Sequence, residues 1–247
     1  MMKPFVPVMS IMMSIFLCSG CSSAPDGLEE VEGTGLAFSE NFNAYDGLNE
    51  REHVEFYKPA EAHQLPPSIL GEHHLLEKGI DSDLMPFEVN EENAYVVTSE
   101  DRTGKVTHQV QLSYLGKSEE GIVDEFFIIS VTEMEKNPVE NYEVAEATDS
   151  VGNRFEKQEL SGDDFIFQQV LTTNSALLYR YYEYDAEEEQ LNVVGTAANE
   201  FYSYHDGFVY HIGYLIERKR NTEQVQDNML NLTRTIILGK DLAHQGR

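Results

Sequence analysis

From Val106 the chain alternates. In VTHQVQLSYL, Val106, His108, Val110, Leu112 and Tyr114 fall on one side of an extended backbone, and Thr107, Gln109, Gln111 and Ser113 on the other. That period of two predicts a half-buried strand. Glu100–Gly104 before it reads as a hairpin turn, and Ala94–Ser99, reached through LMPFEV, as the preceding arm. EFFIISVTEM, Glu125 to Met134, is continuously apolar at its centre and predicts a strand covered on both faces; Pro138 ends it. Asn141–Lys157 is weakly patterned, with room for one strand and a turn at Gly152-Asn153.

The last third is more regular. Asp164–Thr173, Ser175–Tyr184 and Leu191–Val194 are strand candidates, and Phe201–Tyr204 meets Phe208–Ile216 across Asp206-Gly207. An Asp-Gly pair between alternating runs favours a type I′ turn, which needs positive φ at both central residues. The period then changes to 3.6. Val225, Met229, Leu232 and Ile236 form one stripe, Asn221 stands at an N-cap position with Gln224 three residues on, and Gly239 is a natural stop. Upstream, Pro66-Pro67 break any long helix, and Ser68–Lys78 suits a short one. The fold class expected is α+β: an antiparallel β-meander with a C-terminal helix packed on one face, forming a single domain over 50–247.

The first twenty residues differ in kind. Lys3 gives a short positive region, Phe5–Leu17 is apolar but too short for a relaxed bilayer span, and Ser19-Gly20 then precede Cys21. This order resembles the lipobox of bacterial lipoproteins, with Cys18 where Leu is usual. The resemblance implies a signal peptide over 1–20, a diacylglyceryl group on the Cys21 thiol, and cleavage that makes Cys21 the new N-terminus. Cys18 and Cys21 are the two cysteines of the chain, so such processing leaves no free thiol in an oxidising compartment. Residues 21–49 are rich in Gly, Ser, Asn and acid without a sustained period, and read as a flexible acidic tether. About 25 such residues would reach roughly 25–30 Å on average.

The segment from Leu84 to Leu238 resembles an uncharacterised domain family of Gram-positive lipoproteins and anti-sigma-associated proteins. The residues that carry it are LMPFEV, HQVQLSYL, the hairpin FYSYHDGFVYHIGYLI and the helix NTEQVQDNMLNLTRTII. Members often place a Trp in the penultimate strand; this chain has none, and Phe201 or Tyr202 stands nearest. The family lends no catalytic residues.

Charge narrows the partners. With 17 basic and 44 acidic residues, net −27, the chain is unsuited to nucleic acid, whose phosphates require a basic face. It is equally unsuited to docking on anionic lipid through its surface, so attachment to the membrane falls to the lipid. Chemistry is sparse. No H-E-x-x-H, G-x-S-x-G or Gly-rich phosphate loop occurs. His73-His74 would diverge on a helix, while His205 and His211 flank the hairpin and could face each other across it. Asp81/Asp83 and Asp163-Asp164 lack the EF-hand pattern and read as solvated turns. The expectation is therefore no cofactor, no metal and no catalytic set. Tyrosines crowd the last strands, and Tyr182, Tyr184, Tyr202 and Tyr204 are the candidate ligand face, set opposite the helix; core packing of strand-forming Tyr is the competing explanation.

The functional expectation is a cell-envelope lipoprotein on the extracytoplasmic face of the cell membrane. It would act as a non-enzymatic binding or accessory module for an envelope protein or polymer. The alternatives are an envelope-polymer hydrolase using carboxylates, and a lipid or lipopeptide carrier with a curved-sheet cavity.

Overall fold

The computed structural model describes residues 25, 27–42, 47–70, 79–144, 148, 152–172 and 178–239. The leader, Cys18, Cys21 and His73-His74 lie outside them, as does most of the short helix expected over 68–78, of which the turn Pro67–Leu70 is described.

Eleven strands form one sheet. In chain order they are β1 (Glu30–Thr34), β2 (Glu52–Tyr57), β3 (Glu91–Glu100), β4 (Val106–Lys117), β5 (Val123–Glu133), β6 (Arg154–Ser161), β7 (Asp164–Val170), β8 (Leu178–Asp185), β9 (Gln190–Ala197), β10 (Asn199–His205) and β11 (Phe208–Leu215). A helix, Glu223–Ile237, closes the described chain. The order across the sheet is β6-β7-β10-β11-β5-β4-β3-β2-β1-β9-β8. All pairings are antiparallel except β1 with β9. The architecture is thus α+β with β dominant, and the expected simple meander is corrected in two places. The β10–β11 hairpin inserts between β7 and β5, and β1 carries the β8–β9 hairpin beyond the first strands.

Local chemistry explains the regular pieces. Asp206 and Gly207 both take positive φ, 49° and 85°, as the Asp-Gly turn requires. The helix buries Met229, Leu230, Leu232, Ile236 and Ile237 against Phe127, Ile129, Tyr210, Ile212 and Tyr214 of the sheet. Its N-cap is Thr222, whose hydroxyl accepts from the Val225 N–H at 3.4 Å, and not Asn221 as expected. Gln224 consequently makes no capping box and donates to Asn228 instead, at 3.2 Å. Gly239, φ 60°, ends the helix.

The face opposite the helix is also covered. Gln109, Gln111 and Ser113, expected toward solvent, are 4%, 0% and 2% exposed. The cover is the β8–β9 hairpin, carried back across the sheet. β8 is the last strand in the sheet order, so one edge of its backbone has no strand partner. That edge rests on β4: the Tyr182 N–H donates to Gln111 Oε1 at 2.7 Å, and Gln111 Nε2 donates to the Tyr182 carbonyl at 3.0 Å. A side-chain amide therefore stands in for a neighbouring strand. The Tyr182 hydroxyl accepts from the Ala37 N–H at 3.0 Å and donates to Gln109 Oε1, while Gln109 Nε2 donates to the Ala37 carbonyl at 2.9 Å. Further along, the Tyr179 ring lies over Gly213, where a Cβ would stand within 2.6 Å of ring carbons.

The reading of residues 21–49 as a free tether is corrected from Glu30 onward. Glu30–Thr34 is β1, and Leu36–Phe42 is a strap across the same sheet face, with Leu36, Ala37, Ser39 and Phe42 buried. The strap has no period because it is fixed by individual contacts. Phe42 stacks on Tyr202 with centroids 4.6 Å apart, and Ser39 and Asn41 bind Glu200.

Glu200 and His211 form a buried pair, Oε1 to Nε2 2.9 Å, with side chains 1% and 4% exposed. Asn41 Nδ2 donates to Glu200 Oε2 at 2.9 Å, and the Ser39 hydroxyl donates to Oε1. Removing the Glu200 carboxylate strips Ser39 and Asn41 of their acceptor beneath the strap, at a cost of about 1–3 kcal/mol for each donor left unsatisfied. Glu200→Leu is therefore expected to lower unfolding free energy by about 2–6 kcal/mol and to expose residues 36–42 to protease. Urea denaturation and limited proteolysis measure both; unchanged stability with a protected strap contradicts this role.

Candidate functional site

The fold-back of β8 creates a cavity of about 300 Å³ where β8 leaves the surface of β3, β4 and β5. Tyr95 comes from β3, Ser113, Leu115 and Lys117 from the end of β4, Val123 from the start of β5, and Tyr181, Tyr182, Glu183 and Tyr184 from β8. Alternation along β8 distributes its tyrosines over two faces. Tyr181 stacks with Phe126 and Tyr179, at 5.9 and 6.2 Å, and Tyr182 packs among Leu36, Phe56, Tyr95 and Val97. Because the polar edge of β8 is held by Gln111, both faces flank the cavity rather than one being lost beneath the strand.

The cavity is negative. Glu91, at its β3 wall, accepts from Asn93 Nδ2 at 2.9 Å and is paired with Lys117. Glu183 stands exposed at the rim with no ion pair among the described residues. Buried Tyr95 has its hydroxyl pushed well up, first by burial and then by the charges of Glu91 and Glu183; a hydrogen bond from the Tyr184 backbone opposes the shift. The Tyr181 hydroxyl is pushed up to about 12 by burial, with Glu183 adding to it.

The four candidate tyrosines do not make one open face. Tyr182 and Tyr184 line this cavity. Tyr202 is 1% exposed beneath the strap and belongs to a separate cluster with Phe42, Phe167 and Val209, where Tyr204 packs half-buried with its hydroxyl donating to the Met134 carbonyl at 3.1 Å. The open-platform expectation is corrected for a physical reason: the hairpin and strap occupy the area a flat ligand would have used.

A larger cavity, about 610 Å³, lies between β1, β2 and the β8–β9 turn. Six glutamates line it, Glu29, Glu30, Glu32, Glu55, Glu188 and Glu189, together with Val31, Val54 and Phe56. Lys58 pairs with Glu29 at 3.1 Å and Glu189 at 3.9 Å there. A third, about 280 Å³, lies beside Gly79 and Tyr114. Aromatic side chains with polar tips suit a small-ligand site, and four tyrosines line the smaller cavity where glutamates dominate the larger one, so the tyrosine-walled cavity is the better candidate despite its size.

Histidines take bland positions. His53 and His63 lie near Glu100 and Glu61, and His205 Nδ1 is 2.7 Å from Asp164. His211 is registered opposite Tyr202, so it does not face His205 across the hairpin as expected. Among the described residues no group of three or more His, Cys, Asp or Glu is placed to hold a metal ion. Asp81 caps its own turn, accepting from the Asp83 N–H at 3.1 Å. Sequence reasoning missed Tyr181, Glu183 and Glu91 as a group, because what unites them is the fold-back. It also missed Gln111. A signal existed: Ala94–Ser99, Val106–Leu115 and Phe126–Thr132 hold no Asp, Glu, Lys or Arg in a chain with 44 acids, so their polar face had to be sheltered.

No family model, curated protein or solved structure matches the chain.

The buried tyrosines set an alkaline limit. Tyr57, Tyr114 and Tyr181 are each pushed to about 12, mainly by burial, and Tyr182, Tyr210 and Tyr214 are raised further. An unfolded tyrosine titrates near about 10. The folded state thus keeps protons that the unfolded chain releases, and stability is full below that pH and lost as pH rises toward 12. Phenolate absorbance and far-UV circular dichroism followed together should change in one cooperative step in this window. Ionisation of all thirteen tyrosines with the sheet intact contradicts the burial assignment.

Proposed function

We propose that the chain is a cell-envelope lipoprotein, acylated on Cys21 and held on the extracytoplasmic face of the membrane. Its domain serves there as a non-enzymatic binding module. The leader and its small residues before Cys21 support the first part, together with a net charge of −27 that repels anionic headgroups. Among the described residues no helix is long and apolar enough to cross a membrane, and Cys21 lies outside them. With β1 starting at Glu30, nine residues from Cys21 to Glu29 separate the lipid from the sheet. They span at most about 32 Å when fully extended. The start of the sheet is consequently held within about that distance of the membrane surface.

The tyrosine-walled cavity carries the second part of the proposal. It combines aromatic area with polar groups at its rim, as small-ligand sites do. The rival readings find less support. Both oxygens of Glu91 are engaged, by Asn93 and Lys117, and Glu183 stands in solvent, so the cavity offers no sheltered carboxylate pair of the kind glycoside hydrolysis uses. A carrier needs space between sheet and helix, where Tyr57, Phe127, Ile129, Tyr214 and Met229 pack together.

Two measurements on the full chain in a bacterial host test this. Cys21→Ser should abolish incorporation of a palmitate analogue and move the protein from the detergent phase to the aqueous phase. Retention by delipidated envelope material should fall about tenfold with Tyr184→Ala, the loss expected for an aromatic contact worth about 1.4 kcal/mol. Unchanged partitioning contradicts acylation. Envelope retention indifferent to Tyr184, beside release of soluble polymer fragments, favours the hydrolase.

A further inference from the structure

We infer that the tyrosine-walled cavity takes an organic cation: a primary ammonium or guanidinium group together with its short carbon stem. The inference rests on the proposal that this cavity is the binding site, and it names the ligand chemistry.

Size comes first. About 300 Å³ is at the lower end for small-molecule sites, enough for one long side chain or an amine of similar bulk. The walls come next. Tyr181 and Tyr184 are half-buried, so each offers part of its ring to the space, and an aromatic face attracts cations through its quadrupole. Leu115 and Val123 give the carbon stem an apolar surface.

Charge decides between ligand classes. Lys117 balances Glu91, and Glu183 is left over, so among the described residues the cavity carries one unpaired negative charge. The phenols sense it: Glu183 contributes to the upward shift of both Tyr95 and Tyr181. An anion would be repelled. A neutral ligand such as a sugar gains nothing from the exposed Glu183 carboxylate at the rim. A cation is attracted to it while its stem and charge lie against the tyrosine rings. The wider field acts in the same direction, since a chain of net −27 concentrates cations at its surface and speeds their arrival, in a salt-dependent way.

The same chemistry reaches the cavity from two sources, a free amine or the lysine side chain of a peptide. Titration calorimetry on the full chain in neutral detergent, at low ionic strength, separates them with two probes. Cadaverine represents the free amine, and Nα-acetyl-lysine methylamide the peptide side chain. Nα,Nε-diacetyl-lysine methylamide and N-acetylglucosamine are the neutral comparisons. At least one amine probe should bind, with acetylation of its ε-amine removing binding. Affinity should fall about tenfold in Glu183→Gln, whose site is exposed and leaves the fold intact, and again as salt is raised. Tyr181→Leu should also weaken it about tenfold, keeping bulk but losing the aromatic face. Equal binding of the diacetylated probe, or no change in Glu183→Gln, overturns the inference. If the sugar binds in a Tyr184-dependent manner and the amines do not, the cation inference falls and the binding-module proposal stands. If no probe binds while envelope retention still depends on Tyr184, the cation inference alone falls. If that dependence is absent too, both fall.

Discussion

A strand edge cannot be buried unless its N–H and C=O groups are satisfied, and at Tyr182 in β8 one glutamine satisfies both. The Gln111 carboxamide accepts from the Tyr182 N–H and donates to its carbonyl, so the last strand of the sheet ends on the middle of that same sheet. An unpaired polar group in such a place costs about 1–3 kcal/mol, and two would outweigh much of the margin by which a domain is stable. The amide holds β8 down beside the Tyr182 hydroxyl, which bonds Ala37 and Gln109, and the Tyr184 backbone, which bonds Tyr95. Once β8 is held, the strap closes over Tyr182 and Tyr202, and the sheet face becomes interior.

The consequences reach the site. A hairpin lying flat would bury one face of β8 and expose the other. Standing on its edge, β8 turns Tyr181 toward Phe126 and Tyr182 toward Tyr95, and leaves a gap between them and the ends of β3, β4 and β5. The ligand cavity is thus a by-product of how an edge was protected. The polar network beside it has a different role. Glu200 and His211 sit beneath the strap with Ser39 and Asn41, closed from solvent, and line none of the three cavities described above. Their work is to fix the strap in place.

The sequence makes the elements legible and their assembly much less so. β4, β11 and the stripe on the terminal helix follow from periods of 2 and 3.6, β5 follows from its apolar centre, and both residues of the Asp206-Gly207 turn adopt the positive φ the turn needs, while β6 begins in a stretch with little pattern. The N-cap moved one residue, to Thr222, because tertiary position overrides the modest intrinsic advantage of Asn over Thr as a cap. β1 and the strap escaped notice since EVEGT pairs through its backbone and Leu36–Phe42 is pinned residue by residue, leaving no periodicity to detect. The polar face of β4 was read as solvated because alternation reports difference in polarity and not what lies on the polar side. For the same reason two of the four candidate tyrosines, Tyr182 and Tyr184, reached the cavity, while Tyr202 and Tyr204 went to the cluster around Phe42.

The account turns on the Gln111 amide as a surrogate strand, and amide hydrogen exchange in Gln111→Ala reads that directly. Tyr182 should lose its protection while Tyr181 and Glu183, registered on Val194 and Asn192 of β9, keep most of theirs. Global stability should fall by about 2–6 kcal/mol, one unsatisfied donor plus one unsatisfied acceptor. A Tyr182 amide that exchanges as slowly in the variant as in the parent chain would show that something other than Gln111 holds β8 in place.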